Sequence, residues 1–202
     1  MVVKFVYIVC ALILVAMPGR LAWADAAQDQ LVEQGVAFYD DEEYEKAKEI
    51  LLPLAETGHP KAMNMVGLIY AFGDVFPTDE KTECNWYEKS ANSGFPPAMY
   101  NLSICYDGNG RTADPIMSKE LLIKAAGLGH IRSMINLASL DKSEGEDYRY
   151  WMNKAREHGS VYAKVSLYLQ GYAHDVPDLY IQDKVCVYVR ILMLGGEKDI
   201  CD

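Results

Sequence analysis

The sequence is short of basic residues: 19 lysines and arginines stand against 29 aspartates and glutamates, which leaves a net charge of −10 in 202 residues. A surface that holds the phosphate backbone of DNA or RNA needs an excess of positive charge, so the composition argues against nucleic acid as a partner. The sequence also lacks a GxxxxGK phosphate loop and a helical His-x3-His pair. These two gaps argue against a nucleotide site and a helix-borne metal site.

No apolar run in the leader is long enough to span a membrane. The run from Phe5 to Met17 holds 13 residues, whereas a spanning helix needs about 20. Lys4 precedes this run, and small residues precede a cleavage position after Ala24, which is the pattern of a Sec signal peptide. We therefore predict a signal peptide at 1–24, a mature domain at 25–202 and a periplasmic or secreted location without a membrane span. Retention of the leader as an uncleaved anchor is the alternative.

Cysteine is scarce, and no Cys-x-x-Cys pair occurs. Four cysteines lie outside the leader: Cys84, Cys105, Cys186 and Cys201. An even number of cysteines in an exported protein favours disulfides, and three pairings are possible. The nearest-neighbour pairing would join Cys84 to Cys105 and Cys186 to Cys201. Buried free thiols are the alternative, and the spacing gives no reason to expect a metal site.

A single pattern recurs along the chain. A glycine is followed four residues later by Ala or Ser at Gly58, Gly94, Gly129 and Gly159, with spacings of 36, 35 and 30 residues. An amphipathic stretch precedes each glycine and another follows it, which predicts two antiparallel helices per repeat. We expect each glycine to end a helix in the left-handed conformation, and Pro60, Pro96 and Pro97 to begin the next helix without loss of a hydrogen bond.

Small residues recur in the first helix of successive repeats. They stand at Gly35, Gly67, Ser103 and Ala138. A small residue beside a packed face lets a neighbouring backbone approach, so these positions predict close helix packing. Tyr70, Tyr87 and Tyr106 occupy regular positions and are expected between helices.

The pattern Ala-x3-Leu-Gly/Ser-x2-Tyr, followed by Trp-Tyr-x-Lys-Ser/Ala-Ala-x2-Gly, is most complete from Ala62 to Gly94. It resembles the Sel-one-like repeat (SLR) family, which is related to the tetratricopeptide repeats, over about residues 30–195. The resemblance implies an all-α, right-handed solenoid of antiparallel helix pairs with about four to five repeats. Architecture rather than a reaction unites the family. From the repeat itself and the absence of a convergent polar site, we expect a non-enzymatic interaction module with no cofactor.

Two repeats depart from this pattern. The repeat from Ser133 to Gly159 is about five residues short, and Asp141 replaces the expected tyrosine, so we predict a trimmed loop between its helices. The last repeat has Tyr168 at the small position and an irregular loop from Gly171 to Asp178, which indicates a modified end cap. A further helix is predicted to end at Gly195.

Candidate catalytic residues are few. His59, His130, His158 and His174 lie at or near predicted turns, where a structural role is expected. Ser139 opens a Ser-x-x-Lys tetrapeptide, and some cysteine-rich members of the SLR family are linked to penicillin binding. Because neither Ser-Asp-Asn nor Lys-Thr-Gly accompanies it, we expect no enzyme. A cell-envelope enzyme or a penicillin- or peptidoglycan-binding protein is the alternative.

Four polar or aromatic residues are candidates for binding. Asn64, Tyr100, Asn101 and Asn136 are placed by the repeat on the side of the first helices that solenoids present to ligands. Contact with the preceding repeat is the alternative role for these residues. The expected partner is a protein or peptide that carries basic residues, because the chain is acidic. No cofactor and no metal are expected.

Overall fold

The computed structural model describes residues 18–72, 80–108, 112–140 and 145–171, and every regular element in these ranges is an α-helix. The helices are α1 (Pro18–Asp40), α2 (Tyr44–Glu56), α3 (Pro60–Phe72), α4 (Glu80–Asn92), α5 (Pro96–Tyr106), α6 (Pro115–Gly127), α7 (Ile131–Leu140), α8 (Glu146–Glu157) and α9 (Val161–Leu169). The all-α helical-repeat fold predicted from the sequence is confirmed.

The first helix extends into the predicted leader. Helix α1 begins at Pro18 and runs through the predicted cleavage position after Ala24, while residues 1–17 lie outside the described part. Among the described helices, none combines the length and the apolar character needed to cross a membrane.

The chain divides into two compact units, Met1–Ser93 and Gly94–Asp202. In the first unit, α1 packs on α2, α2 on α3 and α3 on α4, and α1 also touches α3. Its core is formed by Val32, Ala47, Leu51, Ala55, Ala62, Met63, Met65, Val66 and Ile69. Leu51 is fully buried at the centre of this cluster, so its truncation to alanine would cost about 2–5 kcal/mol.

The second unit repeats this arrangement with five described helices, each packed on the next from α5 to α9. Its core is formed by Leu122, Ala126, Met134, Leu137, Ala138, Tyr148, Met152, Ala155, Ala163 and Leu167. Tyr148 brings a hydroxyl into this cluster, and that hydroxyl lies 2.8 Å from Oγ of Ser166. The hydrogen bond satisfies a polar group that would otherwise be costly to bury.

Glycine closes each junction between repeats, as predicted. Gly58, Gly94, Gly129 and Gly159 all have positive φ, at 97°, 85°, 88° and 96°. At the first junction, the amide of His59 donates to the carbonyl of Leu54 and the amide of Gly58 donates to that of Ala55, both at 3.0 Å. This pair of bonds is the Schellman motif, and it satisfies carbonyls that the end of α2 leaves open.

The prolines after these junctions lie where they cost no hydrogen bond. Pro60 is the first residue of α3, and Pro96 and Pro97 occupy the first turn of α5. The first turn of a helix has no intrahelical acceptor for its amides, so proline, which lacks an N–H, loses no hydrogen bond there. The prediction from the sequence is confirmed at all three positions.

The predicted trimmed loop is also confirmed. Residues 141–145 connect α7 to α8, whereas residues 107–114 make the corresponding connection from α5 to α6. The end cap and the helix predicted to end at Gly195 lie outside the described residues.

Cys84 and Cys105 are both disulfide-bonded, and both are buried, at 0% and 1% exposure. An oxidised cysteine offers no thiolate, so these two residues are not metal ligands in this state. Cys186 and Cys201 lie outside the described part of the chain, and their predicted pairing stays a prediction.

Candidate binding surface

Side chains cap the first helices of two repeats, at the starts of α3 and α9. Ser160 Oγ accepts from the amide of Ala163 at 3.2 Å, at the start of α9. Histidine takes the same position before α3, where Nδ1 of His59 accepts from the amide of Ala62 at 3.3 Å. A side-chain acceptor at this position satisfies one of the open amides of the first turn.

The capping bond fixes the tautomer of His59. Because Nδ1 accepts a hydrogen bond, the proton of the neutral ring lies on Nε2. Nε2 lies 3.0 Å from Oδ1 of Asp29 on α1 and donates to it. His59 therefore joins α3 to α1, and Lys61 adds a second link through Glu33 at 2.7 and 2.8 Å. The predicted structural role of this histidine agrees with these contacts.

The first unit buries its candidate binding residue. Asn64 is only 4% exposed and lies on α3 between the core residues Met63 and Met65. A buried amide is not available to a partner at the surface. We therefore leave Asn64 out of the binding surface proposed below.

The second unit places its three candidates at the surface. Tyr100 and Asn101 on α5 and Asn136 on α7 are all half-buried. The ring of Tyr100 lies 5.4 Å from the imidazole of His130 with an interplanar angle of 54°, and the tyrosine also packs against the core of this unit. Tyr100 thus contacts the following repeat through His130 and remains partly accessible.

Arg132 is a fourth surface residue that the sequence analysis missed. It is exposed and stands four residues before Asn136 on α7, so both lie on one face of that helix. The four residues Tyr100, Asn101, Arg132 and Asn136 are called the α5–α7 surface below. The periodicity of α7 could have revealed Arg132, because Asn136 was already assigned to the binding side.

The electrostatic setting of this surface shows in His130. Its Nδ1 lies 2.9 Å from Oγ of the buried Ser133, and burial, followed by the nearby positive charge of Arg132, lowers the pKa of its imidazole. The neutral ring is therefore favoured in the folded protein. Because the imidazole of His130 is neutral, the guanidinium of Arg132 supplies positive charge to this surface.

Ser139 is the nucleophile candidate from the sequence, and the described part of the chain shows no base paired with it. Ser139 is exposed, and its hydroxyl donates to the carbonyl of Asn136 at 2.7 Å, in the last turn of α7. Lys142, the partner that Ser-x-x-Lys chemistry requires, lies outside the described residues. A serine engaged by its own helix has the ordinary role of a terminal polar residue.

Perturbed titrations in the described residues have structural causes. Burial and the carboxylate of Glu83 raise the pKa of Tyr87. The ion pair of Lys154 with Glu157, at 2.9 Å, raises the pKa of the lysine and lowers that of the glutamate. Tyr87 is a core residue, and Lys154 and Glu157 form a surface pair within one helix, so these three groups do not converge in one cleft as catalytic groups usually do.

The acidic charge of the protein is concentrated in the first repeat. Residues 25–56 contain ten acidic side chains and two lysines, whereas residues 94–171 contain eight acidic and nine basic side chains. Asp41, Glu42 and Glu45 are exposed around the turn between α1 and α2. Negative charge of this density attracts positively charged partners over several ångströms at moderate salt.

Comparison with known proteins supports the architecture. Residues 60–95 and 96–130 match the model of the Sel1 repeat. The crystal structure of a Sel1 repeat protein from Oxalobacter formigenes aligns with a TM-score of 0.61 at 25% sequence identity, covering 70% of this chain and 62% of that chain. Against curated proteins the sequence gives no significant match.

A second solved structure gives the same result. The protective antigen c5321, present in uropathogenic Escherichia coli strains and displaying an SLR fold, aligns with a TM-score of 0.60 at 25% identity. The alignment covers 76% of this chain and 36% of that antigen. This chain thus spans less than two thirds of either solved protein, and the predicted resemblance to the SLR family is confirmed.

Proposed function

From its Sel1 repeats and SLR fold, we propose that this chain is an exported interaction module that binds a protein or peptide partner. The Sel1 repeat fold is typical of protein–protein interaction modules, and the Sec-type leader supports delivery to the periplasm. The observation that carries the proposal is the α5–α7 surface, where accessible polar and aromatic side chains lie on two helices that both pack on α6. Such a surface recognises shape and hydrogen bonds rather than performing a reaction.

The chemistry of the α5–α7 surface suits an extended peptide. The side-chain amide of Asn136 carries donors and an acceptor, the combination that a peptide backbone requires. Tyr100 supplies apolar area with a polar tip, and its contact with His130 limits the entropy lost on binding. Arg132 adds a fixed positive charge that can pair with a carboxylate of the bound segment.

A different part of the chain supports a partner with basic residues. The exposed acids around Asp41 and Glu42 lie in the first unit, and they would accelerate the encounter with a basic protein rather than determine which sequence binds. We therefore propose a partner with a basic surface for the first repeat and a peptide segment for the α5–α7 surface.

Site-specific photocrosslinking in the envelope of the producing cells tests the proposal. A photoreactive amino acid at position 136 should capture a specific partner that mass spectrometry identifies. The same amino acid at the exposed position 156 on α8 is the matched control and should not capture it. Equal capture at both positions, or none at position 136, would contradict the assignment of the α5–α7 surface.

A lysine-rich peptide serves as a probe for the acidic first repeat. Neutralising Asp41→Asn, Glu42→Gln and Glu45→Gln together should weaken its binding and reduce the salt dependence. Neutralising Glu120, Glu146 and Asp147 in the second unit is the control of equal charge. If both triple variants bind the peptide with the same affinity, the net charge of the protein attracts it and the first repeat is not its binding site.

The enzymatic alternative has a direct test. Labelling of the purified protein with a fluorescent penicillin should give no covalent adduct. An adduct that disappears in Ser139→Ala would establish the serine enzyme in place of the proposed module.

A further inference from the structure

Helix α6 exposes an apolar stripe to solvent. Ile116 is 74% exposed and Ile123 is 43% exposed, and their spacing of seven residues places them on one face of the helix. Gly127, four residues after Ile123, continues the same face. Met117 and Leu128 flank the stripe with 37% and 58% exposure. Large apolar side chains concentrated on one surface helix mark an interaction site more often than scattered ones do.

Neither packing nor backbone conformation in the described part of the chain requires glycine at position 127. A methyl group at this position would meet no atom within 4 Å, and no positive φ requires glycine there. Glycine in a helix costs about 0.5–1 kcal/mol relative to alanine. The neighbouring Gly129 is different, because its φ of +88° explains its presence. A helical glycine on an exposed apolar face is suited to close approach by another molecule.

The charges beside the stripe complement one another. Glu120 and Lys124 are both exposed, lie one turn apart on the same flank of α6, and are not held in an ion pair within the described part of the chain. The midpoint of the stripe falls near residue 122. Ile116 and Gly127 stand at similar distances on either side of it, and so do Glu120 and Lys124.

We propose that α6 is a self-association surface on which the α6 helix of a second copy of this chain packs antiparallel about a two-fold axis. In this arrangement Ile116 of each copy lies over Gly127 of the other, where the missing side chain leaves room. Glu120 of each copy faces Lys124 of the other, so that two ion pairs form on the same flank. The two-fold relation favours a second copy over an unrelated helix, because the pairs Ile116–Gly127 and Glu120–Lys124 both match their own reverse about residue 122.

The size of the surface sets the expected strength. Helix α6 has 13 residues and is therefore about 20 Å long. One helix pair of this length buries less than the roughly 800 Å² per partner of a standard interface. We therefore expect a weak dimer, with a dissociation constant on the order of 100 µM. The inference is independent of the proposed partner binding, which uses α5 and α7.

Sedimentation equilibrium of the full purified protein, over concentrations that bracket this value, tests the proposal. The unaltered protein should dimerise, and Ile123→Asp should abolish the dimer without loss of helix in circular dichroism. Gly127→Ala should weaken the dimer about tenfold and raise the urea midpoint of unfolding. These opposite effects separate a role in association from one in folding.

Charge exchange tests the antiparallel register. Glu120→Lys and Lys124→Glu should each weaken the dimer about three- to tenfold, because each places like charges opposite one another. The double variant Glu120→Lys/Lys124→Glu should restore it. A protein that stays monomeric at every concentration, a dimer that survives Ile123→Asp, or a double variant no better than the single ones would overturn the proposal.

Discussion

Gly35 and Gly67 set the distance between neighbouring helices in the first unit. A Cβ atom at Gly35 would lie 2.5 Å from Cγ of Leu51, and one at Gly67 would lie 2.5 Å from Cε1 of Tyr87. The sequence predicted small residues here for the approach of a neighbouring backbone. The structure corrects this detail, because large side chains rather than backbone atoms fill the space above both glycines.

Gly67→Ala should therefore destabilise the protein. Tyr87 is only 4% exposed, so its ring cannot move aside without disturbing the core, and overpacking of this kind costs about 1–3 kcal/mol. Urea unfolding followed by circular dichroism measures the change. An unaltered unfolding midpoint would mean that the Tyr87 ring adapts at no cost.

His130 predicts a dependence of stability on pH. Its pKa in the folded protein is lowered from the ordinary value of 6.5 by burial and by Arg132, so below pH 6.5 the unfolded chain binds a proton more readily than the folded one. The contribution of the neutral ring is therefore complete above pH 6.5 and is lost as the pH falls towards the folded pKa. In an NMR titration, Arg132→Gln should raise the pKa of His130. If the pKa of His130 does not rise in this variant, the lowering that we assign to the charge of Arg132 is wrong.

At the scale of the helix, the junction glycines act through backbone conformation. Gly129 has a φ of +88°, and Cβ at this position would also come within 3.4 Å of the His158 ring. Gly129→Ala should cost about 1 kcal/mol or more, because an L-residue is strained in this region. Gly127→Ala, two residues earlier, should instead stabilise the isolated chain. Urea midpoints of the two variants should move in opposite directions, and movement in the same direction would count against this account.

The sequence predicted the elements better than the contacts between them. The junction glycines were predictable because a glycine at a fixed offset after an amphipathic stretch is a local signal. The pairing of His59 with Asp29 was not, because it joins residues 30 positions apart and depends on how α1 packs against α3. The same limit applies to Asn64, whose burial depends on the neighbouring helices rather than on its own.

At the scale of the whole molecule, covalent bonds add to the packing of a small repeat protein. Cys84 and Cys105 are oxidised and buried. Their reduction should lower the free energy of unfolding by about 2–4 kcal/mol, because a cross-link restricts the unfolded chain. Urea unfolding with and without a reductant measures the effect, and the variant Cys84→Ser/Cys105→Ser should respond less to the reductant. If the urea midpoint of unfolding is unchanged on full reduction, the oxidised cysteines do not stabilise the fold and packing alone does.

The two kinds of connection in this chain differ in their freedom to change. The junctions at Gly58, Gly129 and Gly159 each complete the same pair of backbone hydrogen bonds. The other connections differ in length, and they range from three residues at 41–43 to eight at 107–114. We therefore expect insertions and deletions to be tolerated in these other connections and not at the glycine junctions. A purification tag or a fluorescent reporter inserted within 107–114 should leave the helices on both sides intact. The same insertion at 128–130 would break the backbone hydrogen bonds that close the turn between α6 and α7.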